Sequence, residues 1–242
     1  MSAPSKPHDI ILPGPLNFLK TLHVRPFPRV NSTVSRSAFL AAVVVSAFAA
    51  DPKLETLLQA VENRYNRAQT LEVSFSETYS APGRPRKIES GNLYLRKPGR
   101  MRWQYSSPTG KLFVGDGKYL YLYTPSNNQV EKTKMKESED MRAPLAFLLG
   151  KLHFDKDFQN FTARPEGAGT WVAAEPKSPN LPYTRVEFAV APDARIRRVQ
   201  VTGYDRSVLE FTFENEKLNP PLDAKLFEFR MPPGAGMVEA SQ

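Results

Sequence analysis

The sequence contains no cysteine among its 242 residues, and this absence removes several kinds of chemistry at once. A chain without cysteine forms no disulfide framework, offers no thiol nucleophile and builds no thiolate zinc site. It also lacks the lipidated cysteine that anchors a bacterial lipoprotein. The fold must therefore be held by the packing of its core, which a chain of this length can supply.

Histidine is also scarce, with His8, His23 and His153 as its three representatives. The chain has no H-E-x-x-H motif and no G-x-S-x-G motif, so the sequence signals of zinc peptidases and α/β-hydrolases are missing. The segment 115–118 resembles a phosphate-binding loop only superficially, and a hairpin turn between two strands explains it better. We predict neither a catalytic residue nor a metal ligand, and no enzyme.

Long apolar runs are missing too, because no stretch of eighteen or more apolar residues is present that would span a membrane as a helix. The shorter run 38–48 follows Arg36 and ends in an A-x-A-like site at Ala49, which is the layout of a secretory signal peptide. We therefore predict a leader and signal peptide over residues 1–50, with residues 36–49 as its core and cleavage near Ala49. A short buried helix is the alternative interpretation.

Half of the net charge of +8 at pH 7 belongs to this predicted leader. Five of the 33 Lys and Arg residues and one of the 25 acidic residues precede residue 51, so residues 51–242 carry a net charge of about +4. That balance weakens a nucleic-acid interpretation. We expect one exported domain over residues 51–242, free in the compartment beyond the inner membrane.

A helix followed by many short strands is the predicted organisation of this domain. Apolar residues at spacings of three and four predict an amphipathic helix over Pro52–Tyr65. The apolar period then changes to two, with Pro- and Gly-containing turns between the runs. The runs are LEVSFSETY, NLYLR, MRWQY, KLFVG, KYLYLYT, RVEFAV and VLEFTF. They predict a mainly β (α+β) fold with a large antiparallel sheet, a sandwich or a barrel. The apolar segment 143–152 predicts a short helix that is buried or covers an apolar opening.

Alternation separates charge from aromatic bulk in the strand that begins at Arg100. Met101, Trp103 and Tyr105 share one face of this strand, and the arginines between them share the other. A groove for single-stranded nucleic acid needs stacking aromatics and cations together, so this segregation argues against such a partner. The sheets also carry more large apolar residues than one flat layer and two short helices would cover. We therefore predict that the sheet curls and that helices close its concave side.

Four motifs follow one another along residues 51–242. They are GNLYLRKPGRMRWQY, KLFVGDGKYLYLYTPSNNQV, PLAFLLG and LNPPLDAKLFEFRMPPGAGM. In this order, and behind a signal peptide, they resemble the periplasmic outer-membrane lipoprotein carrier family, the LolA proteins. The resemblance implies an unclosed, strongly curved antiparallel β-barrel with an α-helical lid over a hydrophobic cavity. It implies neither a cofactor nor a chemical reaction.

The resemblance also implies partners. Members of the family accept triacylated lipoproteins from an inner-membrane ABC-type complex, carry them across the periplasm and deliver them to an outer-membrane receptor. We expect a monomer that binds no nucleic acid. Two alternatives stay open: a periplasmic carrier of free lipids or glycolipids, and an acyl-sensing regulatory domain of the same fold.

Site residues are carried over from the family by position, and alternation adds Tyr105. The predicted acyl cavity is lined by Phe75, Leu93, Leu95, Met101, Trp103, Tyr105 and Phe113, with Leu145 and Leu148 on the lid helix. Lys97 stands where the family has an arginine that hydrogen-bonds to the lid, and Tyr121 stands where it has a tryptophan. Because arginine offers five donors in a planar fork and lysine offers one rotating ammonium group, we predict a looser lid latch at Lys97.

Overall fold

The computed structural model describes residues 52–135 and 152–239. Helix α1 (Pro52–Arg67) precedes the sheet, and helix α2 (Phe154–Asp157) is a single turn. The strands are β1 (Thr70–Ser80), β2 (Lys87–Arg96), β3 (Arg100–Ser107), β4 (Leu112–Asp116), β5 (Tyr119–Thr124), β6 (Gln129–Lys134), β7 (Phe158–Glu166), β8 (Gly169–Pro176), β9 (Tyr183–Val190), β10 (Ile196–Gly203), β11 (Val208–Leu218) and β12 (Gly236–Glu239). Neither of the helices in these ranges has the length and apolar character needed to cross a membrane. The predicted leader 1–50 and most of the predicted helix 143–152, including Leu145 and Leu148, lie outside the described residues.

All twelve strands belong to one sheet, in the order β12-β6-β5-β4-β3-β2-β1-β11-β10-β9-β8-β7. Two meanders, β1 to β6 and β7 to β11, are joined where β1 pairs with β11. The pairing of β12 with β6 is parallel, and the other pairings are antiparallel. Within the described ranges β12 and β7 do not pair with each other, so the sheet is unclosed, as predicted.

Ring contacts between distant strands show how strongly the sheet curves. Trp103 on β3 and Phe211 on β11 have ring centroids 5.1 Å apart, although two strands lie between them. In a flat sheet these three inter-strand steps would separate the strands by about 14 Å. The sheet therefore bends around its inner face, which the predicted curl anticipated.

Helix α1 covers part of this inner face. Val61 and Tyr65 are buried in the same apolar cluster as the strands, and Leu54, Leu57 and Leu58 pack against it. The spacing of these residues puts them on one stripe of the helix, and its burial against the sheet stabilises a segment that would be marginal alone. The predicted helix over Pro52–Tyr65 is confirmed, and it continues to Arg67.

The C-terminal segment lies on the outer face of β2 to β5. A 3₁₀ turn, Ala224–Phe227, contacts β3 and β4 and buries Phe227 to 1% exposure. The Arg102 guanidinium donates to the Leu226 carbonyl oxygen at 3.2 Å. Val114, which faces outward beside Arg102 in the β3–β4 register, is fully buried. The outer face thus has a small apolar cluster of its own, and Arg102 helps to hold its cover.

Candidate functional site

The described strands bring the predicted lining residues onto one continuous face. In the strand register Leu95 pairs with Met101, and Trp103 pairs with Leu93 on one side and Phe113 on the other. Phe75 and Tyr105 meet across Gly91 on the strand between them. All seven residues are buried and belong to the inner apolar cluster. Their part in binding stays a prediction.

Aromatic rings form the centre of this face. Phe75 packs edge-on against Trp103, with ring centroids 4.8 Å apart, and against Tyr105 at 5.1 Å. Edge-to-face pairs of this kind add about 0.5–1.5 kcal/mol beyond their burial, so the three rings fix one another's orientation. Phe211 and Phe213 extend the aromatic surface from β11, with stacked rings.

A buried charged cluster ends the aromatic surface on β1 to β4. Glu77 and Glu89 are directly opposite each other in the β1–β2 register and are 5% and 4% exposed. Tyr105 Oη donates to Glu77 Oε2 at 2.8 Å, and the Lys111 ammonium pairs with Glu89 Oε2. Lys87 Nζ lies 2.8 Å from Glu89 Oε1. Alternation cannot reveal this cluster, since a charged residue in an inward position resembles the end of a strand.

Lysine contacts keep Glu89 ionised despite its burial. Burial favours the neutral acid, but hydrogen bonds and charges from Lys111 and Lys87 outweigh it and hold the pKa of Glu89 below its ordinary value. Across the β1–β11 pairing, Glu77 is opposite Phe211 on β11, which in turn is opposite Val199 on β10. The inner face is therefore closed by charges on one half of the sheet and stays apolar on the other.

Lys97 lies at the other end of the same face and binds the end of α1. Its Nζ donates to the Tyr65 carbonyl oxygen at 2.7 Å and to the Asn66 carbonyl oxygen at 3.3 Å. A cation at these carbonyls satisfies groups that a helix leaves free at its C-terminus and complements the helix dipole. Burial lowers the pKa of the Lys97 ammonium. The Arg96 guanidinium donates to the Leu222 carbonyl oxygen on the outer face, so the two neighbouring cations point to opposite sides of the sheet.

Further contacts fasten α1 to the second meander. Tyr65 Oη donates to Glu216 Oε2 at 2.7 Å and accepts from the Ile196 amide at 2.9 Å. Arg64 Nη2 donates to Glu216 Oε1 at 2.5 Å. Burial and the Glu216 carboxylate raise the pKa of Tyr65, so its phenol remains a donor. These contacts join α1 to residues more than a hundred positions away, and no local pattern in the sequence signals them.

This chain is similar in sequence to proteins of a known family. The chain matches the family described as "Outer membrane lipoprotein carrier protein LolA" over residues 66–230. It belongs to the LolA family. Two relatives, each named outer-membrane lipoprotein carrier protein, come from Chromobacterium violaceum and Pseudomonas aeruginosa. The first is 26% identical and covers 82% of this chain and 95% of the relative; the second is 27% identical and covers 84% and 98%. A solved LolA superfamily protein from Nitrosomonas europaea is 10% identical, covers 72% of this chain and 97% of its own, and gives a TM-score of 0.42.

Two positions depart from the LolA pattern, and both make contacts. Lys97, in place of the arginine, reaches α1, while the predicted latch contact to the helix 143–152 lies outside the described residues. Tyr121, in place of the tryptophan, points outward and stacks on Phe229 with ring centroids 4.6 Å apart. The second departure therefore belongs to the outer cluster and not to the inner face.

One group of side chains beside α1 has the composition of a metal site. Ligand atoms of Glu62, His153 and Asp155 lie within 4.8 Å of one another. One imidazole and two carboxylates suit Zn²⁺ or a similar divalent ion. Glu62 Oε1 also accepts the Phe154 amide at 2.6 Å, so this carboxylate has a structural role without an ion. In that role it fastens α2 to α1.

Proposed function

We propose that this LolA-family protein is a periplasmic carrier. It binds the acyl chains of triacylated lipoproteins released by an inner-membrane ABC-type complex and delivers them to an outer-membrane receptor. The observation that carries the proposal is the buried apolar inner face, which β1 to β5 and β8 to β11 build and α1 covers. The relatives from Chromobacterium violaceum and Pseudomonas aeruginosa are named lipoprotein carrier proteins, which supports this class of cargo.

The energetics of the inner face suit transport. Each buried acyl methylene contributes about 0.8 kcal/mol, so the chains of one lipoprotein supply well over roughly 10 kcal/mol against water. A carrier with that full affinity would not release its cargo. The covering residues of α1, together with the predicted lid residues Leu145 and Leu148, must leave the inner face before cargo enters. Their lost contacts offset part of the gain, which leaves an affinity that the next site can exceed.

Export is part of the proposal. Residues 1–50 direct the chain to the periplasm and are cleaved near Ala49, and residues 51–242 act there as a monomer. No cofactor or reaction is required, because the transfer is driven by successive apolar sites of increasing affinity.

The test is to identify what the protein carries. The protein is purified from periplasmic extracts, and bound molecules are identified by mass spectrometry. Triacylated protein supports the proposal. Free phospholipid or glycolipid favours a lipid carrier, and acyl-chain binding without lipoprotein release from spheroplasts favours a sensing domain.

A matched pair of variants tests the inner face. Leu93→Glu places a charge among the buried inner residues, whereas Tyr94→Glu places it on the opposite face of the same strand. We expect lipoprotein release from spheroplasts to be lost in the first variant and kept in the second, with circular dichroism confirming that both are folded. Equal release by the two variants would contradict the proposal.

A further inference from the structure

The chain has two tryptophans, and the indole N–H groups of the two differ in whether they have a hydrogen-bond acceptor. Trp171 Nε1 donates to Glu187 Oε1 at 3.1 Å. Trp103 is 1% exposed, and its Nε1 has no hydrogen-bond acceptor among the described residues. In the charged cluster of the inner face, Glu77 accepts a hydrogen bond from Tyr105 and Glu89 Oε2 pairs with Lys111. Glu89 Oε1 has no hydrogen bond of good geometry but lies 2.8 Å from the Lys87 ammonium, whereas Trp103 Nε1 has no such charge beside it in the described ranges.

An unpaired donor at this depth is costly. Leaving a buried N–H without an acceptor destabilises a protein by about 1–3 kcal/mol. Phenylalanine would supply apolar bulk without that cost, and Phe75 and Phe211, which contact Trp103, do so. The indole therefore brings a donor into the one surface that is proposed to receive cargo. A buried polar group without a partner calls for an explanation, and a ligand that supplies the acceptor is one.

We propose that Trp103 Nε1–H donates a hydrogen bond to a carbonyl oxygen at the head of a bound acyl chain. The inference rests on the carrier function proposed above and names the chemical class that the site selects: acyl esters and amides, in preference to alkyl chains without a carbonyl. Apolar surroundings strengthen such a bond, because no water competes for the donor. The tails gain nothing from Trp103 beyond contact, so the bond fixes where the chain begins.

The position of Trp103 on β3 fits this assignment. It lies two residues from Met101 toward the Lys97 end and two residues from Tyr105, where the charged cluster begins. A bound acyl chain whose head carbonyl is held at Trp103 would run into the charged cluster of Glu77, Glu89 and Lys111 if it continued along β1 to β4. It meets apolar side chains if it turns toward Phe211 and Val199. The donor and the charged cluster together direct the tail to the second meander.

The experiment compares two probes and three proteins. The probes are a synthetic triacylated lipopeptide and its trialkyl analogue, in which every acyl carbonyl is a methylene. The proteins are the full-length wild type, Trp103→Phe and the matched control Trp171→Phe. Dissociation constants are measured by displacement of a fluorescent fatty acid.

We expect the wild type and Trp171→Phe to bind the acyl probe about three- to tenfold more tightly than the alkyl probe, the range for one net hydrogen bond. Trp103→Phe should bind both probes equally. A carbonyl preference that survives in Trp103→Phe, or none in the wild type, overturns the inference. Failure of the wild type to bind either probe would instead overturn the carrier function.

A second measurement does not depend on the Trp103 variant. The wild type labelled with ¹⁵N at its indoles should give two indole signals, and Trp171→Phe identifies them. We expect the acyl probe to move the Trp103 N–H signal downfield and the alkyl probe to leave it unmoved. Equal shifts with both probes would contradict the hydrogen bond.

Discussion

The inner and outer faces of β3 and β4 are both buried, but for different reasons. On the outer face, Val114 is buried beneath the C-terminal turn, and a backbone carbonyl oxygen of this turn accepts a hydrogen bond from Arg102. Inside, Trp103 lies among aromatic rings, its indole N–H has no acceptor in the described part of the chain, and charges end the apolar surface. The outer face is built for stability and the inner face keeps polar groups that stability alone does not need. Burial alone therefore does not distinguish the proposed binding face from a core, and the two faces differ instead in how their polar groups are paired.

Truncating Phe227, the buried residue of the C-terminal turn on the outer face, should have the largest effect on stability. Phe227→Ala leaves a cavity over β3 and β4 and should lower the free energy of unfolding by about 3–5 kcal/mol. Denaturant unfolding measures this loss. Binding of the acyl probe by the remaining folded protein should be unchanged. A loss below about 1 kcal/mol would show that the C-terminal segment does not stabilise the sheet.

Breaking the charged cluster on the inner face should cost nearly as much. Lys111→Met leaves Glu89 buried with only Lys87 as its partner, and removing one member of a buried pair costs about 3 kcal/mol or more. The double variant Glu89→Leu/Lys111→Met replaces both charges by apolar groups and should be within about 1 kcal/mol of the wild type. Additive losses in denaturant unfolding would contradict a coupled buried pair.

The contact of Lys97 with α1 should have a smaller and local effect. Lys97→Met removes a cation and two hydrogen bonds from the end of the helix, worth about 1–2 kcal/mol. Amide hydrogen exchange in α1 should then be about 5–30-fold faster. Lys97→Arg should slow this exchange, which is the sequence-based latch prediction transferred to α1. The control is Arg96→Met, on the outer face, which should leave the exchange of α1 unchanged.

The smallest expected effect is a dependence on pH. The pKa of Glu89 is lower in the folded protein than its ordinary value of 4.5, so its stabilising contribution is present above that value and is lost as the pH falls through the folded pKa. Unfolding free energies measured across the acid range should fall less steeply in Glu89→Leu/Lys111→Met. An identical slope in both proteins would exclude Glu89 as a source of acid sensitivity.

Alternation predicted the parts of the fold that bury one face. It located α1 and seven of the strands, because their apolar residues recur with a clear period. It missed five strands. Among them β6 and β7 have largely polar sequences, the residues of β12 are all exposed, and β8 buries four consecutive residues and so does not alternate. The fifth, β10, was missed although its buried residues do alternate. The edge strands β7 and β12 bury little, so they leave no clear apolar pattern in the sequence.

The candidate site likewise has features that alternation predicted and features that only the folded structure shows. The shared face of Met101, Trp103 and Tyr105 follows from period two alone. The unpaired state of Trp103 does not, because it depends on which acceptors the folded chain leaves within reach. The pairing of Glu216 with α1 and of Glu77 with Tyr105 likewise requires contacts between segments that are far apart in the sequence.

The pairing of β1 with β11 has a consequence for how the chain folds. Each meander consists of hairpins between neighbouring segments, which form within microseconds in isolation. The β1–β11 pairing instead joins Leu71 to Leu218 and Ser80 to Val208. Such distant pairings form slowly, because the chain loses the entropy of closing a long loop before the new contacts stabilise it. Only after this pairing forms can the rings of Trp103 and Phe211 meet. The surface that is proposed to receive cargo is thus incomplete until the two meanders have joined, and a half-folded chain lacks it.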